Sequence, residues 1–438
     1  MTEASAATKS NTCKSENLPS PGPLTEAQRK LVKATVPVLE AHGQEITSRF
    51  YKEMLEANPE LGNVFNHSKQ QKGDQADALA RAVYAYAANI DDITPLRPVI
   101  ERVCNKHTSL HITPSQYAIV GKHLLQAIAE VVGTNVFSGD LYEAWVVAYW
   151  QLAHLFIDRE AELYKQAGWV GWKHFVVSRK VIETDDITSF YLSPKDETPL
   201  PPFRPGQYIS VQKFVKELGL YQSRQYSLSD SPNPNHFRIS VKRERGIRAV
   251  DSSTGAVDLA QDMQLGLISN LLHDTLIEGD GIEVAFPYGD FFLDDSIAPV
   301  VLISAGVGLT PLTSMLHAVL EGPSPRQVSW IQVVRSLSSH PLNAEVRRLL
   351  ELKPSLVRRA IFYSDPGAAV GEDCDFKGRL DISLVPTETL RLDDPIVEYY
   401  VCGPEAFMVD VIRGLRLRGV SIDRIHVEVF GAGAVPLD

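Results

Sequence analysis

The spacing of apolar residues changes at about Gly168, and no other feature of the sequence constrains the fold as strongly. Across residues 24–166 apolar side chains recur every three or four positions, as Ile46, Phe50 and Met54 do, which is typical of amphipathic helices. After Gly168 they alternate or form short β-branched runs between Pro, Gly and Asp clusters, which indicates strands. Because 438 residues also exceed the size at which a single core keeps growing, we predict a multidomain protein.

The predicted domain limits follow these changes of pattern. Residues 1–23 are mostly Ala, Ser, Thr, Asn, Lys, Glu and Pro, a composition that predicts a disordered tail. An all-α domain is expected over residues 24–168, an antiparallel β-barrel domain over 169–295, and an α/β domain over 296–438.

Composition and charge narrow the class of protein further. The net charge of −11 argues against nucleic-acid binding, and no apolar run reaches the roughly 18 residues of a membrane-spanning helix. The four cysteines lie too far apart for a C-x-x-C motif or a ferredoxin-type iron–sulfur cluster. The tail has no apolar core of the kind found in signal peptides. Glu3, Glu16 and the lack of Arg argue against a mitochondrial transit peptide without excluding one. We expect a cytoplasmic monomer, with a mitochondrial location as the alternative.

His107 stands where a helix should carry a core side chain. It continues the stripe of Ile100, Val103 and Cys104 on a helix that is expected to begin near residues 95–98. The imidazole is therefore predicted to point inward. Taken alone, this pattern is more typical of a hydrogen-bonded core histidine than of a metal ligand.

Two more polar side chains lie on inward stripes of later helices. Tyr117 belongs to a helix with Thr113 as its N-cap and Pro114 at its first position, and Glu160 lies on the apolar face of the next one. A buried carboxylate without a hydrogen-bonded partner is costly. We therefore predict one connected group, in which Tyr117 and Glu160 hold one ring nitrogen of His107 and the other nitrogen ligates a metal.

Short segments of the helical region carry a family resemblance. They are Arg49-Phe50-Tyr51, Asn58-Pro59-Glu60-Leu61 with Phe65-Asn66, Gly73-Asp74-Gln75, Lys106-His107-Thr108-Ser109 and Arg159-Glu160-Ala161-Glu162. In these segments, and along the whole helical region, the chain resembles the globin domain of flavohaemoglobins. The resemblance implies a haem b site with His107 as proximal iron ligand, Tyr117 and Glu160 as its partners, Tyr51, Gln75 and Leu79 in the distal pocket, and Lys106 beside the cofactor.

Short runs after the helical region predict a small antiparallel barrel. They cover residues 175–181, 187–192, 208–211, 224–228, 237–242 and 281–286. One of these runs contains the segment Arg224-Gln225-Tyr226-Ser227. Because side chains alternate along a strand, Arg224 and Tyr226 are expected on one face and Ser227 on the other. A guanidinium fork suited to a pyrophosphate thus lies beside an aromatic ring that can stack. Alone, the segment also fits an ordinary edge strand.

Neighbouring segments favour the functional interpretation. Pro205-Gly206-Gln207-Tyr208 comes one strand earlier, Val241-Lys242-Arg243-Glu244 follows, and a loop at Gly266 leads to a helix predicted to begin at Ser269-Asn270. In this order the chain resembles the FAD domain of the ferredoxin reductase superfamily, apart from a long stretch over residues 245–265. The resemblance implies FAD contacts by Tyr208, Arg224, Gln225, Tyr226, Ser227, Lys242, Ser269 and Asn270. Arg224 and the loop before Leu271 would hold the diphosphate, and Ser227 would reach the reactive flavin nitrogen.

The last third of the chain alternates strands with helices. A continuous apolar run at 299–304 predicts a buried parallel strand, followed directly by Gly306-Val307-Gly308-Leu309-Thr310-Pro311, with Pro311 expected at the first helical position. Further strands are predicted at 328–334, 397–401 and 427–430. This order resembles the NAD(P)-binding lobe of the same superfamily. The resemblance implies nucleotide contacts by the turn residues 306–311 and by Cys402, Gly403 and Pro404, with Val429 and Phe430 near the flavin. From the residues alone, Cys402 can equally be a small buried side chain and Phe430 a core residue.

Together the three domains imply a route for electrons. NAD(P)H delivers two electrons as hydride and haem iron takes one at a time, so a flavin has to stand between them. The resemblance implies a nitric oxide dioxygenase, expected to be of eukaryotic, fungal type, with O2 and NO as substrates. Haem-bound O2 would convert NO to nitrate, NAD(P)H would re-reduce the iron through FAD, and Tyr51, Gln75, Tyr117 and Glu160 would assist catalysis.

Two other functions are compatible with the sequence. One is a haem-based oxygen or NO sensor or store that its reductase domain keeps ferrous, and the other is a flavin-dependent reductase whose helical domain holds no haem. Arg335 and Ser336 follow a predicted strand and could meet a 2′-phosphate, but surface exposure explains them equally well. The choice between NADH and NADPH stays open.

Overall fold

The computed structural model describes residues 18–65, 73–246, 266–365 and 374–430. Most of the predicted tail and nearly all of the long stretch at 245–265 lie outside these ranges. The chain divides into two compact units. The first unit consists of Met1–Leu61 and Gln75–Gln166, and the second consists of Gly62–Asp74 and Ala167–Asp438. Within the described ranges, no helix combines the length and apolarity needed to cross a bilayer.

The described part of the first unit is all-α, as predicted. Its helices are α1 (Glu26–Ala34), α2 (Val36–Ala57), α3 (Asp74–Ala88), α4 (Arg97–Ser109), α5 (Pro114–Val132) and α6 (Gly139–Gln166). The predicted stripe of Ile46, Phe50 and Met54 is buried in α2. Helix α5 begins at Pro114 because Thr113 caps it, and the Thr113 backbone N–H donates to Gln116 Oε1 at 2.8 Å.

The end of the predicted disordered tail has defined contacts, so that prediction is wrong for residues 18–23. The carbonyl of Pro19 accepts a hydrogen bond from His154 Nε2 at 2.8 Å, and the carbonyl of Gly22 accepts one from Gln151 Nε2 at 2.9 Å. Both donors belong to α6. Composition pointed to disorder, whereas these hydrogen bonds fix the segment against the helix.

An antiparallel barrel opens the second unit after Ala167. Its strands are β1 (Lys173–Ile182), β2 (Ile187–Pro194), β3 (Tyr208–Val215), β4 (Leu220–Ser227), β5 (Phe237–Lys242) and β6 (Gly281–Val284), in the order β4-β3-β6-β1-β2-β5. Leu228, just after β4, pairs with Ile239 of β5, which brings the two outer strands together. Helix α7 (Leu267–Thr275) adds Ile268 and Leu272 to the barrel core. Strand β4 begins before Arg224 because it forms one hairpin with β3, turning at Gly219 with φ +64°.

The rest of the second unit is a parallel sheet with helices on both faces. Its strands are β7 (Val300–Ala305), β8 (Val328–Val334), β9 (Val357–Tyr363), β10 (Phe376–Lys377), β11 (Glu398–Cys402) and β12 (Ile425–Glu428), in the order β10-β9-β8-β7-β11-β12, and its helices are α8 (Leu309–Glu321), α9 (Asn343–Leu352), α10 (Thr387–Leu390) and α11 (Glu405–Leu417). The sequence did not predict β9, in which Arg358 and Arg359 interrupt the apolar run. The predicted order of all-α, antiparallel and α/β folds is confirmed.

Candidate functional site

His107, Tyr117 and Glu160 form one hydrogen-bonded group, as the sequence predicts. They lie on α4, α5 and α6, respectively. His107 Nδ1 is 3.0 Å from Tyr117 Oη and 2.9 Å from Glu160 Oε1, and the Tyr117 hydroxyl donates to the same carboxylate oxygen at 2.5 Å. Three helices are therefore connected through one carboxylate oxygen.

This geometry determines which ring nitrogen of His107 carries the proton. The single hydroxyl hydrogen of Tyr117 is given to Glu160, so the phenol oxygen can only accept at His107, and a carboxylate oxygen can only accept as well. Both contacts require an N–H at Nδ1. In the neutral imidazole the lone pair is then at Nε2, which is the atom available to a metal.

Burial separates the two ends of this group. The Glu160 side chain is only 3% exposed, whereas the His107 side chain is 32% exposed. Burial, reinforced by the charge of Glu160, raises the pKa of Tyr117 far above its ordinary value, so the phenol keeps its hydrogen. A partly exposed imidazole whose Nδ1 is held by a buried carboxylate fits a haem iron.

A close approach of two helices holds Tyr117 in place. The Tyr149 hydroxyl on α6 donates to the Tyr117 carbonyl at 2.5 Å, and its ring lies directly against Gly121 of α5. A Cβ atom at Gly121 would come within 2.4 Å of Tyr149 Cε1. Only glycine allows α5 and α6 to approach this closely beside the histidine group.

The predicted distal residues lie on α2 and α3, which are held side by side. Thr47 Oγ1 on α2 donates to the Ala76 carbonyl on α3 at 2.8 Å. Tyr51 follows Thr47 by one helical turn, and Gln75 precedes Ala76, so both sit near this contact. Burial raises the pKa of Tyr51, which therefore stays protonated and able to donate. Gln75 Oε1 is buried without a hydrogen-bond partner in the described residues, as expected where a ligand belongs.

Two other predicted residues of the helical unit lie on these same elements. Leu79 is one turn beyond Gln75 on α3 and is half-buried, and Lys106 directly precedes His107 in the last turn of α4. The Lys106 carbonyl accepts a hydrogen bond from Ser109 Oγ at 2.8 Å.

The predicted flavin segment occupies the second half of β4. Ser227 pairs with Tyr208 across the β3–β4 ladder, and Arg224 pairs with Val211. Arg224 Nη1 donates to the Ser223 carbonyl at 2.6 Å, and no carboxylate of the described residues lies within 4.0 Å of its guanidinium. Burial lowers the pKa of Arg224 below its usual value. A desolvated cation facing no carboxylate in the described structure fits a diphosphate group.

The sequence did not single out Tyr288, which adjoins this segment. Its backbone N–H and carbonyl both bond to Tyr208, at 2.9 Å each, while its buried hydroxyl has no partner in the described residues. Gly289, with φ +132°, lets the chain turn against the Tyr208 ring. The dipeptide Tyr288-Gly289 after a strand was the available signal, since a glycine beside a strand can mark the close approach of a ligand.

Helix α7 begins at Leu267, so the prediction that it starts at Ser269-Asn270 is wrong. Gly266 is the N-cap, and both polar side chains turn back toward it. Ser269 Oγ accepts from the Glu244 N–H at 3.1 Å, and Asn270 Nδ2 donates to the carbonyls of Glu244 and Gly266 at 2.7 and 2.8 Å. These bonds join Glu244 to the start of α7.

The two other predicted flavin contacts lie in the barrel strands. Gln225 lies in β4, and Lys242 ends β5 with an exposed side chain.

The predicted nucleotide turn lies at the carboxyl end of β7. Gly306, Val307 and Gly308 form a single 3-10 turn, and α8 begins at Leu309, so the prediction of Pro311 at the first helical position is wrong. Thr310 Oγ1 closes the turn by donating to the Val307 carbonyl at 3.0 Å. A Cβ at Gly308 would lie 2.3 Å from the Cys402 carbonyl oxygen, so glycine is required where the turn meets the end of β11.

The remaining predicted contacts surround the end of the sheet. Burial, with the charge of Glu428, raises the pKa of Cys402 well above its ordinary value, so its thiol is not a nucleophile. Gly403 follows it, and Pro404 is the N-cap of α11. Val429 packs on the sheet core, whereas Phe430 is 49% exposed, so the alternative that Phe430 is a core residue is wrong.

Known proteins resemble this chain along most of its length. The family described as Globin matches residues 48–155, and the family described as Oxidoreductase NAD-binding domain matches residues 302–413. The Flavohemoprotein of Bordetella parapertussis is 45% identical, covering 94% of this chain and 100% of its own. The Flavohemoprotein of Chromobacterium violaceum is 47% identical, covering 93% of this chain and 98% of its own. The solved structure of the flavohemoglobin from Malassezia yamatoensis, with bound FAD and heme, is 30% identical to this chain with a TM-score of 0.78. The match covers 94% of this chain and 100% of that one. The two curated relatives are bacterial and give no support to a fungal-type member, which stays a prediction.

The contact between Gly121 and Tyr149 predicts a stability effect. Gly121→Val should lower the free energy of unfolding of the helical unit by about 1–3 kcal/mol, because the added carbons overlap the Tyr149 ring. Thermal unfolding followed by circular dichroism at 222 nm measures this change, with exposed Lys122→Ala as the control on the same helix. Equal melting temperatures for both variants would contradict the account of this contact.

Proposed function

Because this chain belongs to the flavohaemoglobin family, we propose that it is a nitric oxide dioxygenase. In the proposed reaction one NO, one O2 and one electron give one nitrate ion, and NAD(P)H supplies the electrons. Haem b, when bound, supplies the iron at which O2 and NO react, and FAD accepts hydride from NAD(P)H and passes electrons on singly.

The observation that carries the proposal is the orientation of His107. Its Nδ1–H points at Glu160 and Tyr117, which leaves the Nε2 lone pair for the haem iron. A buried carboxylate that accepts the Nδ1 proton makes the imidazole a stronger electron donor than a neutral acceptor would. A ligand of this kind favours chemistry on bound O2 over simple reversible storage.

The distal side supplies the second requirement of the reaction. Negative charge that develops on oxygen is stabilised by a hydrogen-bond donor fixed in a pocket that excludes water. Tyr51 offers a protonated hydroxyl, and Gln75 offers the N–H groups of its side-chain amide. We assign the principal donor role to Tyr51 and the secondary role to Gln75, with Leu79 as an apolar wall.

The reductase residues bind and orient the two nucleotides. Arg224 would hold the FAD diphosphate, Tyr208 and Tyr226 would flank the flavin, and Ser227 would approach its reactive nitrogen. The turn from Gly306 would receive the NAD(P)H diphosphate on its backbone N–H groups.

The proposal predicts a fixed stoichiometry. The purified protein should consume NO only when O2 and NAD(P)H are both present, forming one nitrate for each NO. His107→Ala should abolish this consumption and the Soret absorption of haem, while NADH still reduces the flavin, because the barrel residues are unchanged. An NO electrode with nitrate analysis gives the first result, and absorption spectra give the others. A sensor or store would bind NO and O2 without producing nitrate in proportion, and a reductase without haem would show no Soret band.

Tyr51→Phe tests the distal donor. The change removes one hydroxyl and keeps the ring, so a lost hydrogen bond of about 1–2 kcal/mol should speed O2 release on the order of ten-fold. Stopped-flow spectroscopy measures the release rate. Tyr142→Phe makes the same chemical change at a side chain that is 40% exposed, and should leave the rate unchanged. If Tyr51→Phe behaves like this control, the donor role moves to Gln75.

A further inference from the structure

An ionic cluster lies where the barrel meets the parallel-sheet lobe, apart from the predicted nucleotide contacts. The barrel contributes Asp230, just after β4, and Arg238 of β5; the lobe contributes His317 of α8 and Glu345 of α9. Arg238 donates to both oxygens of Glu345, at 2.5 and 2.8 Å, and His317 Nε2 lies 2.6 Å from Glu345 Oε1. The side chains of His317 and Arg238 are 5% and 2% exposed.

Both ring nitrogens of His317 face carboxylates. Nδ1 lies 2.6 Å from Glu321 Oε2, and Nε2 faces Glu345 and, at 3.7 Å, Asp230 Oδ1. A carboxylate oxygen only accepts, and a neutral imidazole donates from one nitrogen only. The observed contacts are therefore satisfied only by the doubly protonated ring.

Charge balance gives the same result. The charged and titratable groups around the ring are Glu321 on its own helix, Glu345 and Arg348 on α9, and Asp230, His236 and Arg238 on the barrel, where Tyr191 also contacts Arg238. Three carboxylates face two guanidinium groups, so one positive charge on His317 balances the charges of these five groups. Burial alone would lower the pKa of His317, but its hydrogen bonds to Glu345 and Glu321 raise it above the ordinary value.

The cluster joins two elements that the proposed reaction depends on. Helix α8 begins directly after the turn at Gly306–Gly308, and His317 lies two turns further along it. Asp230 follows Ser227 by three residues, and its carbonyl accepts a hydrogen bond from Ser314 Oγ at 2.7 Å. The cluster is therefore connected both to the helix that follows the nucleotide turn and to the segment that follows the flavin strand.

We propose that protonated His317 is a positioning residue that holds the barrel and the nucleotide lobe in the arrangement needed for hydride transfer from NAD(P)H to FAD. This inference rests on the proposed electron route and not on the fate of NO. The direction of the pH dependence follows from the raised pKa of His317. The stabilisation is complete below the ordinary histidine pKa, and it is lost as the pH rises through the pKa of His317 in the folded protein. Asp230, whose pKa its neighbours lower to about 2 despite burial, stays ionised throughout.

A metal ion is a less suitable occupant of the same place. Ligand atoms of Asp230, His317 and Glu345 lie within 4.8 Å of one another, a spacing that a cation could use. However, Arg238 already binds both oxygens of Glu345, and its charge opposes a second cation there.

Anaerobic stopped-flow reduction of the flavin by NADH, from about pH 6 to about pH 9, tests the proposal without O2 or NO. The wild-type rate should fall at alkaline pH. His317→Gln, which cannot carry the charge, should be slower by about ten-fold or more and lose this alkaline limb. His340→Gln changes another buried histidine of the same lobe, bound to Tyr363 and Gln332 at 3.1 Å each, and should keep the wild-type profile.

Glu321→Gln provides a second test should His317→Gln fail to fold. It removes one negative charge beside His317 at a side chain that is 36% exposed, and should move the alkaline fall in rate to lower pH. Hydrogen exchange of the amides in α8 and β5, corrected for intrinsic rates, should rise over the same pH range in the wild type. The proposal would be overturned if both variants had the same pH profile of flavin reduction as the wild type. It would also be overturned if EDTA abolished the alkaline fall in rate, because a metal ion would then be responsible for it. Normal flavin reduction without nitrate formation would contradict only the dioxygenase function.

Discussion

The buried carboxylate of Glu160 is the constraint on which the haem side of this molecule depends. An ionised acid that is 3% exposed needs hydrogen-bond donors, and the structure provides the Tyr117 hydroxyl and the His107 Nδ1–H. Satisfying that charge fixes the tautomer of His107 and ties α4, α5 and α6 together. The close approach at Gly121 serves the same end, because it places Tyr149 against the backbone of Tyr117. The position of the ligand and the packing of the helices thus have one cause.

The reductase unit uses buried charge in two ways. Arg224 is desolvated and meets no carboxylate in the described residues, which prepares it for an anionic cofactor. Arg238, which is 2% exposed, is paired with Glu345 and so contributes to the joining of the two lobes. Removing a partner from a buried pair is far more disruptive than losing a surface ion pair. One guanidinium therefore suits a binding role and the other a structural one.

Sequence reasoning succeeded where a single element carries the signal. The helical spacing around His107 and the inward stripe of Glu160 predicted their contact, because helix geometry fixes which residues share a face. It failed at Ser269, whose side chain suits an N-cap but instead accepts from the Glu244 backbone. It could not find the cluster at His317, since its members come from separate elements that only the tertiary fold brings together. No local pattern distinguishes such residues from a solvated surface.

The iron–histidine stretching frequency tests most directly whether Glu160 controls His107. Resonance Raman spectra of the ferrous, ligand-free protein should show a lower frequency in Glu160→Gln than in the wild type, because a neutral amide accepts the Nδ1 proton more weakly than a carboxylate. Glu162→Gln alters a nearby carboxylate that is 61% exposed and should leave the frequency unchanged. An unchanged frequency in Glu160→Gln, with haem fully bound, would contradict the claim that this buried charge sets the strength of the iron ligand.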